Sequence, residues 1–465
     1  MLPAMVHAQF TFTTNNDGSL NLYQYTGPGG TVIIPDTTNG VPVITIGDNA
    51  FYTYATLTNL IIGTNVTTIG SGAFAGCYNL TNLTIPNNVI SIRDEAFGGC
   101  VSLTSVTIGT NVASIGDDSF TSLAGGPGDG VFADCFSLTS VTIPTSVTNI
   151  GDFAFYDCIS LTNITINTNV TSIGECAFAS CHSLTSLTIP NSVINTGQGA
   201  FQASGLISIT IGDGVTNIGG WAFENCYSLT SVTIGTNVIS IEQGAFEDCS
   251  SLANITIPNN VTSIGEWAFQ DCGFASVMIP NSVTTLNEGA FNYCTNLSNV
   301  SIGNSVTSIG DYAFYGCALT NVTIPSSVTS IGYEAFANCF SLTKFYFQGN
   351  PPSVNWSFPY GNNMTVYYLP GTTGWDVFSY DYSVPTALWL PQVQTSGASF
   401  GVQANQFGFN INWANGQTVV VEASTNLFNP VWQPVQTNTL TVGSAYFSDP
   451  QWTNYPGRFY RLRSP

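Results

Sequence analysis

A string of about 23 residues recurs along most of this chain, and a period of that length leaves few folds open. A clear copy runs from Leu80 to Cys100: L-T-N-L-T-I-P-N-N-V-I-S-I-R-D-E-A-F-G-G-C. The shared skeleton is L-x-x-[VIL]-x-I-[PG]-x-x-V-x-x-I-G-x-x-A-F-x-x-C. Side chains alternate along a strand, so Leu80, Leu83 and Ile85 are expected to face inward and Asn82 and Thr84 outward. Pro86, or a glycine in its place, ends that strand at a turn. Val89 and Ile92 form a second inward segment, and Ala96, Phe97 and Cys100 are spaced for one helical or 3-10 turn. One unit cannot bury these groups alone. Stacked about 4.8 Å apart, equivalent residues line up as continuous Leu, Ile, Phe and Cys ladders.

The repeated phenylalanine falls at Phe51, Phe74, Phe97, Phe120, Phe155, Phe178, Phe201, Phe223, Phe246, Phe269, Phe291, Phe314 and Phe336, which counts 13 coils. A solenoid is therefore expected over residues 43–342. Phe132 restarts the register after an insert at 121–132, read either as a tolerated loop or as a loop on a binding face. The open ends of such an array need covers. Residues 9–42, with short strands broken by Asn16-Asp17-Gly18 and Gly27-Pro28-Gly29-Gly30, are expected to close one end. Residues 343–390, with aromatic-rich strands at Lys344–Phe347 and Thr365–Leu369, are expected to close the other. Short strands with Gly, Asn and Pro turns over 391–465 predict a small sandwich. Residues 1–8 read as a signal-peptide remnant, Val6-His7-Ala8 fitting the small-x-small end, or else as a frayed terminus.

The skeleton, seen again in Leu319-T-N-V-T-I-P-S-S-V-T-S-I-G-Y-E-A-Phe336-A-N-Cys339, resembles the BspA-type leucine-rich repeat family. That resemblance implies a right-handed leucine-rich repeat solenoid of mostly short parallel strands with helical or 3-10 turns. It also implies a bacterial protein that is secreted or on the cell surface, in a family where some members resemble adhesins. The string V-V-V-E-A-S-T-N-L…W-Q-P-V…F-Y-R-L-R resembles the C-terminal fibronectin- or immunoglobulin-like modules of secreted bacterial proteins.

Charge narrows the partners. Five Lys and Arg stand against 26 Asp and Glu, a net charge of −21, which excludes phosphate-backbone binding and disfavours anionic lipid. No apolar run reaches the length of about 18 residues that a membrane helix needs. Eleven of the 12 cysteines hold one repeat position, with Ser204 in that slot once, and are expected to pack as reduced, small apolar side chains. Cys176 lies off this ladder at a position expected to be exposed, and is the candidate reactive thiol. His7 and His182 are the only histidines, too few and too isolated for a nucleophile–base pair. No nucleotide-binding fingerprint is present, so no enzyme and no cofactor is expected.

Three features remain as candidate sites. An acidic lane two residues after the inward Ile, holding Asp48, Asp94, Asp117, Asp152, Glu175, Glu266, Glu288 and Asp311, makes Asp94, Asp117, Asp152 and Glu175 weak Ca²⁺ candidates. A solubilising turn position explains the lane equally well. Beside it, Phe153, Trp221, Trp267 and Tyr312 form an aromatic column that could stack on sugars or anchor a partner, or simply pack against adjacent turns. Arg458, Arg461 and Arg463 could pair with acids, meet an anionic envelope surface or stay solvated. The expected function is a non-catalytic surface or secreted binding protein of adhesin type, its partner an extracellular protein or glycan, with the C-terminal module serving envelope attachment. The alternative is a structural surface-layer or matrix component without a discrete ligand.

Overall fold

The computed structural model describes residues 9–116, 130–355 and 364–465. They form a parallel-strand solenoid followed by antiparallel β-structure, in two compact units. Among the described residues no helix is long and apolar enough to cross a membrane.

In the first unit most coils lay down one strand of three to five residues and a second of two, while the coil at 252–257 keeps only the second, Ser263–Ile264. Asn82–Thr84, Ser105–Thr107, Ser140–Thr142 and Asn163–Thr165 pair in parallel and in register, with Leu83, Val106, Val141 and Ile164 buried and their flanking residues exposed. The Ser-Ile segments, such as Ser91–Ile92 and Ser114–Ile115, pair the same way. They continue a 13-stranded sheet that begins with the N-terminal strand Phe10–Thr14.

The third side of the coil is a run of tight turns rather than a helix. Cys77 N–H donates to Phe74 O and Ala75 N–H to Gly72 O, each three residues back. The chain then steps to its neighbour, as Phe51 N–H donates to Ala73 O. Left-handed residues break the run on both sides of the ring. The residue two after the Phe has positive φ in all thirteen coils, from Thr53 to Asn338.

Twelve successive ring pairs stack from Phe51 to Phe336 with centroids 4.8–5.6 Å apart and planes within 18°. The rung between Phe97 and Phe155 is Phe132. This corrects the expected register: Gly130, Val131 and Phe132 belong to the coil, not to an insert ending at 132. Phe120 and the rest of the expected insert lie outside the described residues. At the N-terminal end Tyr25 continues the stack 5.0 Å from Phe51, and Phe10 leans on Tyr25 at 4.8 Å.

The cysteine ladder has a physical cause beyond size. Each of the eleven thiols lies 3.0–3.4 Å from the carbonyl oxygen of the Phe one coil back, as Cys77 does from Phe51 O and Cys294 from Phe269 O. Burial pushes these thiols up, Cys77 and Cys135 to about 12, so they keep the proton they donate. All twelve cysteines of the chain are free.

In the second unit Asn321–Ile324, Lys344–Phe347, Thr365–Tyr368 and Thr386–Leu388 form a parallel sheet. The helix Trp375–Tyr382 follows the left-handed Gly374 and buries Trp375 and Phe378 against Phe347. Two antiparallel sheets come next. In one, Gln406–Asn412 lies between Ser444–Asp449 on one side and Gln392–Gln394 with Gly401–Gln403 on the other. In the other, Thr418–Ser424 lies between Gln433–Thr439 and Phe459–Arg463. Phe409, Ile411, Val419, Val421, Leu440 and Phe447 form their shared core. The C-terminal arginines pair inside this module. Arg461 and Arg463 hold the buried Glu422 at 2.7 and 3.0 Å, and Arg458 Nε lies 2.9 Å from Asp449.

Candidate functional site

Each coil reaches its Ala-Phe pair through two turn residues, and these carry both candidate columns. The first is the acidic lane. Asp48 Oδ1 accepts the N–H of Ser71 at 2.9 Å, Asp152 Oδ1 that of Glu175 at 2.6 Å, and Asp311 Oδ1 that of Tyr333 at 2.6 Å. These three lane aspartates therefore bind the amide of the following coil. That geometry also explains the glycine of the Ile-Gly pair: a Cβ on Gly70 or Gly174 would lie 2.5 Å from the carboxylate of Asp48 or Asp152. Among the described residues no three or more His, Cys, Asp or Glu gather as metal ligands. Asp94 follows the same approach, its Oδ1 3.2 Å from where a Cβ on Gly116 would sit. Glu175 is half-buried, and burial followed by the neighbouring Asp152 raises its carboxyl. Asp117 lies outside the described residues.

The second column has left-handed backbone. Phe153, Trp221, Trp267 and Tyr312 have φ of 52°, 53°, 52° and 55°, a region bulky residues rarely adopt. Gly72, Gly199, Gly244 and Gly289 fill the same slot in other coils with φ of +59°. The aromatic residues are half-buried rather than exposed. Asn49, Glu95, Cys176 and Glu334 hold this slot with positive φ as well, and from Gly199 to Tyr312 large and small side chains alternate for a steric reason: a Cβ on Gly244 would lie 2.5 Å from Trp221 Cδ1 and 2.6 Å from its Nε1. The indole of Trp267 covers Gly289 in the same way. Tyr312 instead meets Tyr315 and Tyr333 edge-on, at 5.8 and 5.5 Å.

Where the column drops to Gly199 a recess of about 300 Å³ opens, lined by Cys176, Gln198, Gly199, Gln202, Trp221 and Glu224. One wall is an indole, the other a carboxylate and two amides, with Gln202 Nε2 donating to Glu224 Oε2 at 2.5 Å. Such a wall pair suits a flat, hydroxyl-bearing ring. Cys176, expected to be exposed and reactive, is half-buried in this wall. Burial first, then Glu175, Asp152 and Glu224, push its thiol up to about 11, which makes it a poor nucleophile.

A polar ladder next to the rings went unrecognised in the sequence. Gln270 Nε2 donates to Glu247 Oε1 at 2.8 Å and Asn292 Nδ2 to Gln270 Oε1 at 3.2 Å. Burial, and then the charges of Glu224, Asp248 and Asp271, raise Glu247 from 4.5 to about 7. Its folded form holds a proton more tightly than the unfolded chain does. Its contribution to stability is thus present below about pH 4.5 and is lost as the pH rises through about 7. Glu247→Gln is expected to raise the thermal midpoint in melts about one pH unit above the shifted value of about 7, and to leave it unchanged in melts near 4.5. Equal shifts at both values would contradict this assignment.

The solenoid has relatives among known proteins. A family model described as BspA type leucine rich repeat region matches in six copies, over residues 34–124, 128–249 and 222–343. A leucine-rich repeat protein of Bacteroides ovatus is 25% identical, with a TM-score of 0.61, over 83% of this chain and 100% of that one. A leucine rich cell surface protein of Faecalibacterium prausnitzii is 31% identical, with a TM-score of 0.45, over 73% of this chain and 93% of that one. No curated protein matches.

Proposed function

Because this chain belongs to the BspA-type leucine-rich repeat family, we propose that it is a non-catalytic binding protein, secreted or held at the cell surface, that takes an extracellular glycan or protein on its turn column. The observation that carries this reading is the recess of about 300 Å³ in which the indole of Trp221 faces Glu224, Gln198 and Gln202. Trp221, with Glu224, Gln198 and Gln202 around the recess, is the centre of the surface. A sugar ring would lay its C–H face on the indole and its hydroxyls on the carboxylate and amides. The antiparallel module serves envelope attachment.

The test is a panel of glycans and extracellular matrix proteins, probed with the whole chain and with Trp221→Ala. Roughly tenfold weaker binding of Trp221→Ala to the panel member that the parent binds is expected, the size of a binding hot spot. Phe340→Ala, at a residue 74% exposed, should bind as the parent does. Unchanged binding by Trp221→Ala would remove the turn column from the function. Binding to nothing on the panel, with self-association in light scattering, would favour a matrix component instead.

A further inference from the structure

The antiparallel module contains a second cavity, of about 370 Å³, lined by Val393, Phe400, Phe407, Phe409, Leu427, Trp432, Phe459 and Tyr460 with Arg458 and Arg461. Its walls come from both sheets, and its volume is at the lower end of the ~300–1,000 Å³ range of small-molecule sites. The cavity has room for one aromatic ring and a short chain.

Its polar groups are selective. The whole chain has five basic residues, and two of them line this one cavity, while no acid does. Arg461 is committed: Nη2 lies 2.7 Å from Glu422, and its guanidinium lies over the Trp432 ring at 4.6 Å. Arg458 is not. Its side chain is only 10% exposed and its guanidinium lies 4.2 Å from the Tyr455 ring centre. The Nε stands 2.9 Å from Asp449 Oδ2 without the alignment of a hydrogen bond, and the buried Nη1 meets no acceptor. Asp449 is itself shared, since Tyr460 donates to the same Oδ2 at 2.9 Å and Gln451 N–H to Oδ1 at 2.8 Å. A buried guanidinium N–H without a partner is costly, and an incoming carboxylate is the group that fits its fork.

We propose that this cavity binds an aromatic carboxylate, its ring among Phe400, Phe407 and Trp432 and its carboxylate on Arg458. A free aromatic acid and the C-terminal phenylalanine of a peptide share that chemistry. Calorimetric titration of the full chain with phenylpropanoate tests it, with phenylpropanol as the uncharged match and glycyl-phenylalanine as the peptide end. Saturable binding of phenylpropanoate is expected, with phenylpropanol weaker by about tenfold or more, as for loss of a charge-assisted pair. Arg458→Lys, which keeps a charge beside Asp449 but not the fork, is expected to weaken binding by about tenfold. Leu427→Trp gives a second readout, because Leu427 is 55% exposed at the cavity and a larger side chain there obstructs it without disturbing the core. Competition by glycyl-phenylalanine would assign the site to peptide ends, and its failure to compete would assign it to free acids. Equal binding of phenylpropanol, unweakened binding by Leu427→Trp, or no saturation with phenylpropanoate would overturn the proposal.

Discussion

Phe223→Ala is expected to destabilise the solenoid by about 3–5 kcal/mol, the usual cost of removing a fully buried aromatic ring. Phe223 is 0% exposed and lies between Phe201 at 5.3 Å and Phe246 at 5.1 Å. Its loss leaves a cavity that neither neighbour can close, because each ring is held by the coil on its other side. Two stacking contacts go with it, each worth about 0.5–1.5 kcal/mol beyond burial. The effect should also have a shape. Coils of a solenoid interact only with their neighbours, so a weakened mid-array interface lets the two flanks unfold separately. Urea denaturation followed by far-ultraviolet circular dichroism would show a lower midpoint and a broader transition. Phe340→Ala, at a largely exposed ring, should stay within about 0.5 kcal/mol of the parent. A Phe223→Ala midpoint as high as that of Phe340→Ala would mean that the ring stack does not hold the array together.

The second large effect is expected at a glycine. Gly244→Ala adds one methyl group at φ +59°, where the new Cβ would overlap the Trp221 ring at 2.5 Å. Backbone strain alone accounts for about 1–2 kcal/mol. Displacing a packed indole adds to it, in the range of about 1–3 kcal/mol for overpacking. The backbone part is tolerated elsewhere, since Trp267 and Tyr312 hold the same conformation. What forbids a side chain at 244 is the ring above it. Trp221→Gly in the Gly244→Ala background should therefore recover part of the loss. The coupling read from the double-mutant cycle is expected in the range of about 0.5–3 kcal/mol. Additive losses would mean that the large–small alternation along the column is coincidental.

The coil itself could be read from the sequence because its periodicity is local: alternation gives the strands, and a repeated Ala-Phe pair gives the turn. The insert coil was harder. Ser119-Phe120 looks like the pair, yet Phe132 is the rung, and the residue that marks it is Cys135, three positions on. The thiol reports the ring because it lies 3.4 Å from the carbonyl of Phe97, one coil back. The lane acids were legible as a column but not in role, since an oxygen that accepts the amide of the next coil is a contact between residues 23 apart. The strained backbone under Trp221 and Trp267 carries no signal of residue type. Only the glycines in alternate coils hint at it, and they do so in a column that must be aligned first. The cavity beside Arg458 joins strands of two sheets and has no sequence pattern of its own.

The carbonyl-to-thiol contacts, the ring stack and the carboxylate-to-amide contacts are all translations of one motif onto the next. Other contacts belong to one pair of neighbours, such as Trp221 over Gly244, Gln202 with Glu224 and Asn217 with Glu242, but the ring and thiol contacts recur from coil to coil. Removing or duplicating a whole period would thus rejoin like surfaces, so the number of coils is a quantity that recombination between near-identical gene segments can change in single steps. Selection can then set the length of the solenoid one coil at a time.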